Sequence, residues 1–261
     1  MRTAILAAML TAGAGAAQAA SPFDGHWVDD LKSQIAADHA DVYLVKDGAY
    51  RCDSCEPPRA YPADGHPRPV PGDASVISES VRVAGPRAIV TRIVETDMVR
   101  ETTMTVAPDD KTATYVALDR WPGVKAPLRT EYLARRVAPT PPGSHPVSGS
   151  WLGVRYVEVP EAYRSIDLKD TEAAFSRSNF RYGRYTAAYG GPPAPLLGVK
   201  QTGLTITVTK PDARTRVETV LSHGKPVNER TYRISADGLS LETAVRDPGS
   251  GEVFRITSHR K

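Results

Sequence analysis

Val227-Asn228-Glu229-Arg230-Thr231-Tyr232-Arg233-Ile234, followed at once by the turn Ser235-Ala236-Asp237-Gly238, repeats an earlier stretch of the same chain. The earlier copy is Val99-Arg100-Glu101-Thr102-Thr103-Met104-Thr105-Val106, with the turn Ala107-Pro108-Asp109-Asp110. Thr112-Ala113 and Ser240-Leu241 then open matching runs that end at Asp119-Arg120 and Arg246-Asp247. Working outward, Phe23-Asp24-Gly25-His26-Trp27 is answered by Val147-Ser148-Gly149-Ser150-Trp151, with apolar, Gly and Trp at one spacing. A chain that copies itself in this way is expected to build the same unit twice.

Each copy reads as β. Leu204, Ile206 and Val208 alternate with Thr205, Thr207 and Thr209, the period-2 pattern of a half-buried strand. Leu239, Leu241, Thr243 and Val245 alternate likewise, as do Phe254 and Ile256. Asp47-Gly48, His223-Gly224, Asp237-Gly238 and Asp247-Pro248-Gly249 separate the runs with residues that tolerate the positive φ of tight hairpins. No βαβ alternation is visible, so the expected class is all-β: two tandem antiparallel barrel units. Trp27 and Trp151 are expected to be structural, either plugging barrel ends, with the nearby Gly permitting close backbone approach, or serving as large core residues at a sheet edge.

The expected boundaries are a signal peptide over 1–20, a first unit over 21–137, a Pro-rich linker over 138–146 and a second unit over 147–261. The short positive start Met1-Arg2, the small and apolar run Ala4 to Ala17, and Ala17-Gln18-Ala19 give the export reading. That run is shorter than the roughly 20 apolar residues a membrane span needs, and no later segment is apolar enough. The expected location is periplasmic or secreted. Residues 21–140 carry a net charge of about −3 and residues 141–261 about +5, which reads first as ordinary surface variation and alternatively as a preference of the second half for an anionic partner. Export and the lack of a recognition motif argue against nucleic acid as a partner.

The opening Phe23-Asp24-Gly25-x-Trp27, the segment Asp41-Val42-Tyr43-Leu44 and the run Asp47-Gly48-x-Tyr50-x-Cys52-x-Ser54-Cys55-x-Pro57-Pro58 resemble a group of exported proteobacterial proteins that share a lipocalin-like repeat. The Ala236-Asp237-Gly238 turn and its flanking strands are similar to the same group. The resemblance covers most of the mature chain and is most specific around the cysteines. It departs between Asp167 and Gly198. It implies a lipocalin-like β-barrel in each unit and no definite activity, since fold does not dictate function.

Cys52 and Cys55 are the only cysteines. In an oxidising envelope a local disulfide is expected, pinning the Pro57-Pro58 loop. A redox pair and a metal site are the alternatives. The first lacks the helix N-terminus that lowers a thiol pKa, and the second finds only His66 and His39 nearby, at no familiar spacing. Phe175 to Tyr185 interleaves aromatics with arginines. Read as one strand, it puts Arg177, Asn179 and Arg181 on one face and Ser178, Phe180, Tyr182 and Arg184 on the other. The candidate ligand-binding residues are Arg177, Arg181, Tyr182, Arg184 and Tyr185, lining a barrel mouth that would hold an anionic or aromatic ligand. The alternative is a strand with an apolar inner face and a solvated basic outer face. Tyr189 to Gly198, and its counterpart Ala63 to Gly72, would be lids. The chain shows no nucleophile elbow, metalloprotease helix or phosphate-cradling loop. Its histidines sit singly, and neither Asp29-Asp30 nor Asp109-Asp110 suggests acid/base work. No enzyme activity, cofactor or metal is therefore expected. The leading expectation is a module binding a small amphipathic or hydrophobic ligand. The alternatives are a structural or interaction protein of the envelope, and a thiol redox protein using Cys52 and Cys55.

Overall fold

The computed structural model describes residues 20–33, 40–73, 75–198, 203–249, 251 and 253–261. Residues 1–19, which carry the expected export signal, and His39 lie outside the described residues. The chain is all-β. In order, it forms β1 (Gly25–Asp29), β2 (Asp41–Lys46), β3 (Ala49–Cys52), β4 (Arg59–Pro62), β5 (Val76–Gly85), β6 (Ala88–Glu95), β7 (Val99–Val106), β8 (Thr112–Arg120), β9 (Leu128–Ala138) and β10 (Gly149–Glu158). The short helix α1 (Glu161–Arg164) leads into β11 (Ser165–Asp170), β12 (Ala174–Asn179), β13 (Gly183–Ala188), β14 (Ala194–Pro195), β15 (Leu204–Asp212), β16 (Thr215–Ser222), β17 (Lys225–Ile234), β18 (Ser240–Arg246) and β19 (Val253–Arg260).

Alternation delivers the strands as expected. Ala113, Tyr115, Ala117 and Asp119 of β8 are buried, and so are Leu241, Thr243 and Val245 of β18. Leu239 departs from its expected pattern: it sits in the turn before β18 and is 65% exposed. Asp47-Gly48 and His223-Gly224 each hold two successive positive φ angles, the geometry a two-residue hairpin turn needs to match strand twist.

Two antiparallel sheets result, each nearly closed into a barrel. The first has the order β4-β3-β2-β10-β9-β8-β7-β6-β5 and the second β13-β12-β11-β1-β19-β18-β17-β16-β15-β14. The gaps are bridged by the very segments expected to be lids. Asp64 pairs with Arg82 and Arg68 with Glu79 in the first barrel, while Arg184 pairs with Leu197 and Tyr189 with Val208 in the second. These stretches form part of the barrel wall, because their backbone groups satisfy the sheet edges that would otherwise be left unpaired.

Sheet membership does not follow the boundary expected at 138–146. The Pro-rich stretch there is the connection of a hairpin: β10 folds back on β9, with Leu152 opposite Arg135, and lies beside β2, with Trp151 opposite Asp41. A turn closed by Ser144 N–H donating to the Pro141 carbonyl reverses the chain. Reciprocally, β1 leaves the first half altogether. It lies between β11 and β19, with Trp27 opposite Ile166 and Arg260. Each repeat therefore lends its opening Gly-x-Trp strand to the barrel built by the other. The first barrel is the continuous stretch β2–β10, and the second is β1 with β11–β19.

The two lent strands are used identically. Trp27 packs with Phe23, Phe175 and Tyr232 in the core of the second barrel, and Trp151 with Val147, Tyr115 and Met104 in that of the first. Trp27 Nε1 donates to the Phe23 carbonyl and Trp151 Nε1 to the Val147 carbonyl, each at 2.9 Å. The neighbouring strand places a guanidinium over each indole, Arg260 at 4.7 Å and Arg136 at 4.0 Å from the ring centroid. Ser148 Oγ accepts the N–H of Val45 and Asp24 Oδ1 that of Asp170, tying equivalent strands at equivalent points. Each tryptophan closes one end of its barrel by burying on the order of 200 Å² of ring surface, worth roughly 5 kcal/mol.

Candidate functional site

The barrel ends away from the tryptophans open into one shared chamber of about 420 Å³. On β19, Trp27 is matched with Arg260, whereas Phe254 and Ile256 from the other end of that strand line the chamber. On β9, Trp151 is matched with Arg136, whereas Thr130 and Tyr132 line it. Inward-facing residues of both barrels meet there, together with the two crossings of the chain between barrels, represented by Leu31 and Tyr163.

On the side of the second barrel the chamber floor is a charged network around Glu218, which is fully buried. Arg230 Nη1 donates to its Oε1 at 2.5 Å. The hydroxyls of Tyr185 and Tyr232 both donate to Oε2 at 2.8 Å, and Arg177 Nε approaches the same oxygen at 3.2 Å. Burial alone would raise the Glu218 pKa, but the Arg177 and Arg230 charges and the two tyrosine hydroxyls outweigh it and hold the carboxyl below its usual range. Two polar atoms of the same wall, Asn228 Oδ1 and Thr243 Oγ1, are buried without a hydrogen-bond partner among the described residues. Buried polar atoms in folded proteins almost always find a partner, so these two hold unused hydrogen-bonding capacity in the chamber wall.

On the side of the first barrel, Arg100 makes a two-pronged contact with Asp119, both bonds 2.7 Å. Burial opposes ionisation of Asp119, yet the Arg100 hydrogen bonds and charge keep its pKa low. Tyr163 Oη donates to Asp119 Oδ2 at 2.7 Å and accepts from Trp121 Nε1 at 2.5 Å. Phe180, on the turn between β12 and β13, packs edge-on against Trp121 and beside Tyr163, which fastens one barrel to the other. At the crossing, Asp29 accepts a hydrogen bond from Ser258, but burial dominates and pushes its pKa up to about 6.

The structure divides the five candidate residues. Arg177 and Tyr185 point inward and belong to the Glu218 network. Arg181 and Tyr182 lie on a turn at the chamber mouth. Arg184 is exposed and lines a second recess of about 430 Å³ with Lys169 and Ser178, which Arg177 and Tyr185 also border; it does not line the chamber. The single-strand reading of Phe175 to Tyr185 is corrected: β12 ends at Asn179, whose Oδ1 accepts the N–H groups of both Arg181 and Tyr182 and so folds the turn. The alternating faces hold for Phe175, Arg177 and Asn179 and fail beyond. Arg230, Glu218, Asn228 and Thr243 were not singled out by the sequence. Their signal lies in the period-2 spacing that puts Asn228 and Arg230 in line with the buried Tyr232 and Ile234, Glu218 with Val220, and Thr243 between Leu241 and Val245.

Cys52 and Cys55 are joined in a disulfide, and neither lines the chamber. Among the described residues no group of three or more His, Cys, Asp and Glu is placed to hold a metal ion, and no described helix is long and apolar enough to cross a membrane. No family model matches the chain, and neither a curated protein nor a solved structure matches it.

Proposed function

We propose that the protein is an exported, periplasmic, non-enzymatic module of lipocalin-like barrels that binds one small amphipathic ligand in the chamber between them. The observation that carries this is the chamber itself. Its volume of about 420 Å³ falls in the range of small-molecule sites, and its wall combines aliphatic and aromatic surface with a few converging polar groups. Ile166, Val245, Phe254 and Ile256 supply apolar surface, and the unpartnered Asn228 and Thr243 supply polar anchors. The disulfide supports an oxidising compartment, since such bonds persist mainly outside the cytoplasm. An interaction protein would act through exposed strand edges or through the basic second half, and the bridges that close both walls weaken the first of these routes. The redox alternative is weakened by the burial of Cys52, which is 1% exposed.

Native mass spectrometry of the protein purified from a bacterial periplasm, with solvent extraction of the same sample, tests the proposal. A mass increment of one small molecule, released on denaturation, is expected. A bare polypeptide mass, with no saturable uptake of any added amphiphile, would overturn it.

A further inference from the structure

We infer that the chamber selects an amphiphile with a single anionic head, a carboxylate or phosphate monoester, seated on the Arg177, Arg181 and Arg230 side with its apolar part toward the aromatic mouth. The inference rests on the binding proposal above and names its ligand class. Five guanidinium groups line the chamber: Arg100, Arg164, Arg177, Arg181 and Arg230. Four carboxylates line it or contact those groups: Asp29, Asp30, Asp119 and Glu218. The ion pairs do not match these groups one to one. Arg177 and Arg230 share the single carboxylate of Glu218, while Arg100 is matched by Asp119. Arg181 has no ion pair among the described residues. It lies over the rings of Tyr163 and Tyr182 at 5.6 and 5.8 Å, with Glu95 and Asp119 acting on it only from a distance.

Unused donors point the same way. Arg230 gives only Nη1 to Glu218, and its Nε and Nη2 make no hydrogen bond to a described residue. Arg177 reaches the Tyr182 carbonyl only at 3.5 Å. Thr243, 9% exposed, has a hydroxyl free to donate, and the Asn228 amide can present its nitrogen by a half turn of the side chain. A planar guanidinium matches carboxylate and phosphate oxygens, and hydrogen bonds to an ionised group are about twice as strong as neutral ones. Aromatic surface able to receive an apolar tail adjoins these groups, with the Tyr182 ring 6.0 Å from the Arg230 guanidinium. Tyr156, Tyr182 and Phe254 line the chamber and remain 37%, 48% and 40% exposed at the mouth, where rings otherwise meet water.

The test is isothermal titration of the mature protein with four probes sharing one tail: decanoate, decyl phosphate, decanol and decyltrimethylammonium. The two anions are expected to bind with one-to-one stoichiometry, with decanol weaker by about ten- to a hundredfold and the cation weaker still. Comparison of the two anions identifies which head is preferred. Arg181→Gln, a change on a turn, is expected to weaken the anions by about tenfold and leave decanol unchanged. Thr243→Val, checked by its melting curve, should weaken both anions in the same direction. Equal binding of all four probes would overturn the charge selection while leaving the chamber as a ligand site. Binding by none would overturn both.

Discussion

Arg260 lies over the indole of Trp27, with its guanidinium carbon 4.7 Å from the ring centroid. One residue is next to last in the sequence and the other stands near the start of the described residues. The contact exists because β1 completes the barrel of the opposite repeat, between β11 and β19. Trp151 and Arg136 repeat it at 4.0 Å in the other barrel.

The exchange makes an unusual assignment of damage. Trp27→Ala should cost about 3–5 kcal/mol, the usual range for emptying a buried indole site. The loss should appear as faster amide exchange in β11–β19, far along the chain, with β2–β9 little affected. Trp151→Ala should do the reverse. Segment-resolved hydrogen exchange reads the difference directly, and loosening of β2–β9 by Trp27→Ala would contradict the strand assignment.

Glu218→Gln removes the one carboxylate that two arginines share in the second barrel. Breaking a buried ion pair from one side typically costs about 3–5 kcal/mol, because a charge is left without its counterpart. The pH dependence has a definite sign. Glu218 has a pKa below its unfolded value of roughly 4.5, so its stabilisation is present above that value and is lost as pH falls through the lower, folded pKa. Denaturant unfolding from pH 3 to 7 should show a rising limb in the native protein that is flattened in the variant.

Asp29 behaves in the opposite sense. Burial raises its pKa from 3.8 to about 6, so the folded state holds the proton more tightly and the contribution to stability is greatest below pH 4. It is lost as pH rises through about 6. Asp29→Asn should therefore stabilise the protein at pH 7 by on the order of 1–2 kcal/mol, allowing for its partial exposure, with the gain shrinking toward pH 4. Paired melts at pH 4 and 7 check it; a gain that grows on acidification would be the wrong sign.

The Cys52–Cys55 bridge spans only three positions, and the chain-entropy account gives such a short loop about 2 kcal/mol. The double Cys→Ser variant should keep both barrels and melt about 4–8 °C lower. Collapse of the first barrel on reduction would show that the bridge holds more than its own loop.

Much of this architecture was legible in the residues. Alternation in β15, β18 and β19, the Asp47-Gly48 and His223-Gly224 turns, and the repeated Gly-x-Trp openings point to two barrels with buried tryptophans. Which Trp strand enters which barrel was not legible. Both offer the same Gly and indole, and both barrels present an arginine to receive them, Arg260 in one and Arg136 in the other. A period-2 pattern fixes the face of a strand and leaves its neighbour open. The site was half legible for a related reason. Interleaved aromatics and arginines single out Arg177 and Tyr185 but group Arg184 with them, because a strand pattern does not show that Asn179 turns the chain. Arg230, Asn228 and the Asp119–Arg100 pair became part of the site only because two barrels face each other, which no single strand pattern reveals.

The central claim is that the chain is divided by strand exchange, with a continuous first barrel over β2–β10, and it can be tested with two fragments. Residues 40–160 contain that whole barrel and should melt cooperatively with a β-type circular dichroism spectrum. Residues 21–140, which follow the repeat boundary, lack β10 and the Trp151 plug and should not. Cooperative folding of 21–140 together with failure of 40–160 would contradict the account, and with it the chamber that the two exchanged barrels enclose.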